Sequence, residues 1–256
     1  MLESPPQDKA SIDEMPVQKV QKLAKRFYKE VWVIEKETGF LPLLDGHIIK
    51  TPARKALTLP NEALAQTVAQ EFVMQGEYIN PVTMPITRLV NTVIDRLDSD
   101  PQPIFEDILD ILSTDMLFYR AQAPQELLAR QRTSWDPILD WAKSRYGAVF
   151  FTGKGIMHIE QPPNAIQAMR VLLESVKSPY ALAALHMMTT LMGSALLTLA
   201  TYDGAIAGDE AWALAHLDED WTIEHWGADE EALRVRIHNK KEFYAALQVM
   251  NVARSH

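Results

Sequence analysis

The sequence predicts an α+β protein, with a small N-terminal β-rich domain followed by a larger, mainly α-helical C-terminal domain. Three observations carry that expectation. Between 27 and 60 the chain is rich in β-branched and aromatic residues and is cut by ETG and DG; DG, at Asp45 and Gly46, is a strong hairpin signal because a tight hairpin turn needs positive φ. Beyond Pro101 the apolar residues mostly recur at helical spacing. The segment ALAALHMMTTLMGSALLTLA, 181–200, is charge-free; its His186, Ser194 and threonines, with acidic flanking, suit a helix buried among helices better than a membrane span.

Residues 1–25, with MLESPPQDKASIDEMP at their start, are polar and proline-bearing. They read as a disordered lead-in, unlike a signal peptide or an arginine-rich transit sequence. The β-rich domain is placed at 26–97. After its strands, NEALAQTVAQEFVMQG predicts a helix with Asn61 as N-cap and Gly76 as stop, and MPITRLVNTVIDRL begins another with Pro85 in its first turn. The helical domain is placed at 98–256. Its helices are PIFEDILDIL, PQELLARQRTSW, DPILDWAKSRYG, PPNAIQAMRVLLESVK, one helix over 181–200, and two more over 209–226 and 229–250. Gly193, Ser194 and Ala195 are expected at a close helix crossing. VFFTGKGIMHI, 149–159, reads as a hairpin set into the helices.

Composition narrows the function. Over 256 residues, 47% are apolar, there is no cysteine, and the net charge is −9. Disulfides, thiolate metal sites and cysteine nucleophiles are excluded, and a reducing compartment is suited: bacterial cytoplasm, or the mitochondrial matrix for a processed eukaryotic form. The negative balance argues against nucleic acid as partner, the one basic cluster being the short QKVQKLAKRFYK at 18–29. TGKG, 152–155, lacks the spacing and the following helix of a phosphate-binding P-loop. HIE at 158–160 and EH at 224–225 lack a third metal ligand, and MGSAL at 192–196 is no serine-nucleophile motif. No catalytic residue, metal or cofactor is expected. A second reading is a small-molecule binder or enzyme in the cleft between domains, with Asp115, Tyr119 and Arg120 of STDMLFYR as its polar groups.

The charge is unevenly spread. Ten acidic residues and no Lys or Arg lie from Asp203 to Glu231, leaving 24 acidic against 25 basic residues elsewhere. Within that stretch, HLDEDWTIEHWGADEE (216–231) mixes tryptophan with acid. Projected as one helix, Leu214, Leu217 and Trp221 share one face, and Trp212, Ile223 and Trp226 the opposite one, with Glu219 inside it. The first stripe serves a core. The second meets another helix or a partner, and Glu219 is either paired internally, with an Arg or Lys from the sheet-rich half, or in contact with another molecule. Arg88 is a candidate partner for a buried acid.

The blocks RFYKEVWV, LDGHIIKTPARKALTLP, MPITRLVNTVIDR, STDMLFYRA, ARQRTSWDPILDW, TTLMGSALLTLA and LDEDWTIEHWGADEEA follow one another from about Arg26 to Leu247. In that order they resemble the assembly chaperones that receive the alpha subunit of the ATP synthase catalytic head. His47 stands where the family usually has arginine, and Thr222 where it usually has glutamine. The resemblance implies the same two-part fold, no catalysis and no cofactor. It also implies a client, the unassembled alpha subunit, whose interface is protected until beta subunits cover it, and a functional acid that corresponds to Glu219. The expected client-facing residues are then Trp212, Ile223 and Trp226 for apolar contact, with Glu219, Asp218 and Asp220 for charge.

Overall fold

The computed structural model describes residues 23–97 and 100–254. Residues 1–22, which hold most of the expected lead-in and the first five residues of the basic cluster at 18–29, lie outside them, and Ala24–Lys25 form a short strand, β1, antiparallel to β5 (Tyr78–Ile79). Strands β2 (Val31–Lys36), β3 (Gly39–Leu44) and β4 (His47–Ile48) make an antiparallel meander in that spatial order. Leu44 pairs with His47, so the DG dipeptide is the whole turn, and Asp45 and Gly46 both take the positive φ (47° and 83°) that the turn requires. At the other turn, Gly39 has φ 126°, and a Cβ there would lie 2.5 Å from the Leu59 carbonyl oxygen. Only glycine fits.

Helix α1 (Glu62–Val73) packs on this sheet through Leu64, Ala65, Val68 and Phe72. Asn61 caps it as expected, its side chain accepting from the Leu64 N–H at 2.8 Å while its amide donates to Val252 O at 3.1 Å. Its C-cap is Met74, so the helix ends short of Gly76. Helix α2 (Pro85–Thr92) begins on Pro85, and the Glu71 carboxylate accepts from the N–H groups of Ile86 and Thr87, satisfying donors that a helix start leaves free. A turn of π-helix, Val93–Leu97, follows.

The helical part comprises α3 (Gln102–Ser113), α4 (Gln125–Tyr146), α5 (Pro163–Glu174), α6 (Pro179–Met192), α7 (Ala195–Asp203), α8 (Gly208–Ala215), α9 (Leu217–Trp226) and α10 (Glu230–Arg254). Helix α4 runs through Pro137 and ends at Gly147 in the left-handed conformation, so the two segments expected over 124–147 are one helix. Helix α10 packs along α6 and also meets α1, α2 and α8. Buried apolar side chains from Tyr28 to Ala253 form one connected cluster that spans the sheet-bearing and helical parts.

Two expectations fail here. The segment 149–159 is not a hairpin: β7 (Gly153–Lys154) pairs in parallel with β6 (Tyr119–Arg120). Phe150 is buried and stacked on Phe118 at 5.0 Å, and the Gln161 side chain bonds both backbone groups of Phe151, taking the place of a strand partner. Nor is 181–200 one helix. Gly193 adopts φ 63°, Ser194 accepts from Leu197 N–H, and α7 starts afresh. Asp115 makes this break possible, because its buried carboxylate accepts from the Ser194 hydroxyl (3.0 Å) and the Leu196 N–H (2.9 Å) while also capping the 3-10 turn at Leu117. Among the described residues no helix is long and apolar enough to cross a membrane.

Burial pushes the Asp115 carboxyl up to about 6, against the pull of its hydrogen bonds to Leu196, Leu117 and Ser194. An unfolded aspartate ionises near pH 4, so the folded chain holds a proton there that the unfolded chain has lost. This group's contribution to stability therefore falls as pH rises from about 4 to 6 and is level above that, a change of up to about 3 kcal/mol. Asp115→Asn should flatten that part of the pH dependence while lowering stability at pH 7 by about 1–3 kcal/mol. Thermal melts of both proteins across that pH range check it; parallel pH curves would contradict it.

Candidate functional site

The acidic segment is not one helix. It breaks at His216, which closes α8 and opens α9. The His216 ring lies 3.9 Å from the Trp212 ring and shares a 2.8 Å hydrogen bond with Trp212 O. Burial holds the His216 pKa below the usual histidine range. The break takes Trp212 off the face that an unbroken helix would share with Ile223 and Trp226. Trp212 is 3% exposed and packs on Phe243 of α10 at 5.1 Å, so most of it belongs to the core. Ile223 is half-buried, and Trp226, at the end of α9, is 74% exposed.

The acids of α9 are tied to their neighbours. Arg236 of α10 reaches Asp220 Oδ1 at 2.6 Å and Glu219 Oε2 at 3.8 Å. Glu219 is thus paired internally, but its partner comes from the helical part and not from the sheet-rich half. Asp218 accepts from Gln131 of α4 at 2.8 Å, and Glu224 pairs with Arg130 at 2.6 Å. These bonds hold α9 between α4 and α10.

Arg88 does meet a buried acid. Its guanidinium bonds the Oε1 of Glu242, a residue 5% exposed on α10, and His238 stands 3.8 Å from the same oxygen. Sequence reasoning missed Glu242. Its signal was an acid inside the otherwise basic HNKKEF, directly before apolar residues that α10 buries, Phe243, Ala245 and Ala246.

Beside that ion pair, α1, the turn at 81–83 and the start of α2 face α10 across a groove of about 730 Å³. Met74, Val82, Ile86 and Ile237 supply its apolar lining, and Met74 is 75% exposed. Lys240, Lys241 and Tyr244 also line it. On the other flank of α10 lies a hollow of about 600 Å³ that holds Asp209, Asp220 and Arg236 and shares Ile237, Lys240 and Tyr244 with the groove. Tyr244 donates to Asp209 across it. The N-terminal half of α10 therefore stands between two concave surfaces, with Val235 and Ile237 exposed along it.

The polar groups proposed for a small-molecule cleft do not converge. Asp115 is buried as a cap for α7, whereas Arg120 is held against α4 by Asp136 (2.8 Å) and Gln131 O (3.1 Å). Among the described residues no group of three His, Asp or Glu side chains stands ready for a metal.

An apolar groove rimmed by charge and built between helices can take an apolar segment of another protein, as a chaperone must. Known proteins agree with that class. Residues 25–143 match the family model described as ATP12 chaperone protein. The crystal structure of the Atu1473 protein from Agrobacterium tumefaciens superposes with a TM-score of 0.86 at 52% identity, covering 90% of this chain and 86% of that one. Atp12 from Paracoccus denitrificans superposes with a TM-score of 0.83 at 34% identity, covering 90% and 98%. The mitochondrial protein atp12 of Schizosaccharomyces pombe is 24% identical over 239 residues, 89% of this chain and 82% of that protein. The chain belongs to the ATP12 chaperone family.

Because Asp220 makes the short bond to Arg236 and Glu219 the long one, Asp220→Asn should cost about 1 kcal/mol in urea unfolding and Glu219→Gln less than about 0.5 kcal/mol, both reduced by solvent screening. Neither should cost stability in an Arg236→Ala background. A larger loss from Glu219→Gln would reverse this ranking.

Proposed function

We propose that this chaperone binds the unassembled alpha subunit of the ATP synthase catalytic head and covers its interface until beta subunits replace it. It works without catalysis, in the bacterial cytoplasm or, for a processed form, the mitochondrial matrix. The observation that carries the reading is the concave surface on both flanks of α10, where apolar side chains stand in the open on a fold of the ATP12 family. Exposed apolar surface concentrated in one groove marks an interaction site in a soluble chain. The ordered blocks of the sequence point to the same client.

In this reading the contact is shared between two chemistries. Met74, Val82 and Ile237, with Trp226 at the end of α9, provide the dehydrating contact that determines lifetime. The acidic α8–α9 stretch keeps an excess of negative charge after Arg130 and Arg236 have each been paired, and it steers a basic client surface. Glu219 is half-buried and its bond to Arg236 is long, so it keeps charge to offer a partner. Trp212 contributes by holding α8 against α10.

The test is capture of purified alpha subunit during its refolding. Wild-type chaperone should suppress aggregation, Trp226→Ala and Ile237→Ala should each raise the dissociation rate about tenfold (about 1.4 kcal/mol) without lowering the melting temperature, and Trp212→Ala should unfold. Glu219→Lys should slow association more than it destabilises, and raising salt should slow association while much of the affinity survives. Failure of the wild-type chain to bind alpha subunit refutes the client. Neutral Trp226→Ala and Ile237→Ala variants refute the surface.

A further inference from the structure

We infer that the fold builds an oxyanion pocket for a phosphate group between β6, α4 and the TGKG loop, apart from the surface proposed for the client. The loop has no P-loop spacing, and tertiary structure gives it a different use. Parallel pairing of Tyr119 with Gly153 and Arg120 with Lys154, and the bond from Gly155 N–H to Arg120 O at 2.9 Å, press 152–155 against β6. Both glycines serve that approach. A Cβ on Gly153 would lie 2.8 Å from Ile159 Cδ1, and Gly155 has φ 81° with Gln122 at 2.4 Å from a Cβ.

Arg120, Arg132 and Lys154 line the resulting pocket of about 180 Å³, with Thr152, Gly153, Leu128 and Asp136. Arg120 is buried and fixed: its guanidinium donates to Gln131 O at 3.1 Å and to Asp136 Oδ1 at 2.8 Å and lies over the Trp135 ring at 5.1 Å. Arg132 and Lys154 are exposed, and among the described residues neither has a carboxylate within 4.0 Å. Three cations thus line a pocket in which Asp136 is the one lining acid, with Asp218 near enough to act on Arg120. Such convergence in a chain of net charge −9 makes a local positive field that favours an anion at this point. The remaining excess of positive charge suits a phosphoryl anion, and guanidinium groups suit its oxygens in paired fashion. The volume is below the roughly 300–1,000 Å³ of pockets for drug-sized ligands, so it takes a single phosphoryl group and not a nucleotide. Thr152 also lines it.

The test is titration of the full chain with inorganic phosphate, followed by calorimetry and 31P NMR, against chloride at matched ionic strength. Saturable one-to-one binding is expected. Arg132→Ala and Lys154→Ala, both at exposed positions, should keep the wild-type melting temperature and each weaken binding about tenfold, and the double variant should abolish it. Phosphoserine is the second arm: binding of both ligands assigns the site to a phosphoryl group on a larger molecule, and binding of inorganic phosphate alone to the free ion. Acetate is the third, and equal competition by acetate overturns the phosphate assignment. Linear, unsaturable uptake by the wild-type chain, or unchanged affinity in the double variant, overturns the pocket itself.

Discussion

Much of the architecture depends on one buried carboxylate having a partner. Glu242 sits in α10 with its neighbours Phe243, Ala245 and Ala246 in the core, where a lone charge would cost several kcal/mol. Arg88 of α2 reaches it. A helix that must bring an arginine to that point has to run beside α10, and so the sheet-bearing part is docked on the helical part by an ion pair as well as by apolar contact. The pair selects one arrangement among the many that oily surfaces alone would permit.

Other polar groups reinforce the same seam. Asn61 bonds Val252 O while capping α1, so the start of one helix is tied to the end of α10. Glu71 caps α2 from α1; burial raises its pKa and the bonds to Thr87 and Ile86 counter the rise. These carboxylates are consumed internally, and that matters for the groove above them. With Glu71 and Glu242 occupied, the charge left at the rim belongs to Lys240 and Lys241, and the remaining lining is largely apolar.

The acidic stretch plays a double part. Its acids stabilise the protein through Arg130, Gln131 and Arg236, yet they outnumber these partners, and the excess faces solvent next to Trp226. Tryptophan among acids, odd when read as a string, has two separate explanations. Trp212 belongs to the core through Phe243, whereas Trp226 ends α9 in the open. Membership of the ATP12 family, with relatives in bacteria and a mitochondrial one, agrees with a surface built for a protein and not for a metabolite.

Features that arise from near neighbours in the chain were legible in the sequence: the Asp45–Gly46 turn, the Asn61 cap, Pro85 at the start of α2, the α+β class, and the ordered blocks of the family. In each, the physical cause lies within a few residues or in their order. Arg88 could be named as a partner for a buried acid, but not the acid, which lies 154 residues further on. The breaks at Gly193 and His216 needed the tertiary structure. A glycine inside an apolar run is compatible with a continuous helix, and what ends α6 is Asp115, arriving from 79 residues away to cap α7. Likewise 209–226 reads as one helix until Trp212 folds onto Phe243 and His216 closes over it. TGKG is a turn in any local reading; that it faces Arg120 and Arg132 follows from a parallel pairing between β6 and β7, which no short-range pattern encodes. Local conformational preference and residue order determined the elements, whereas the pairing of buried charge and of free backbone groups across long separations decided where the helices break and which side chains meet.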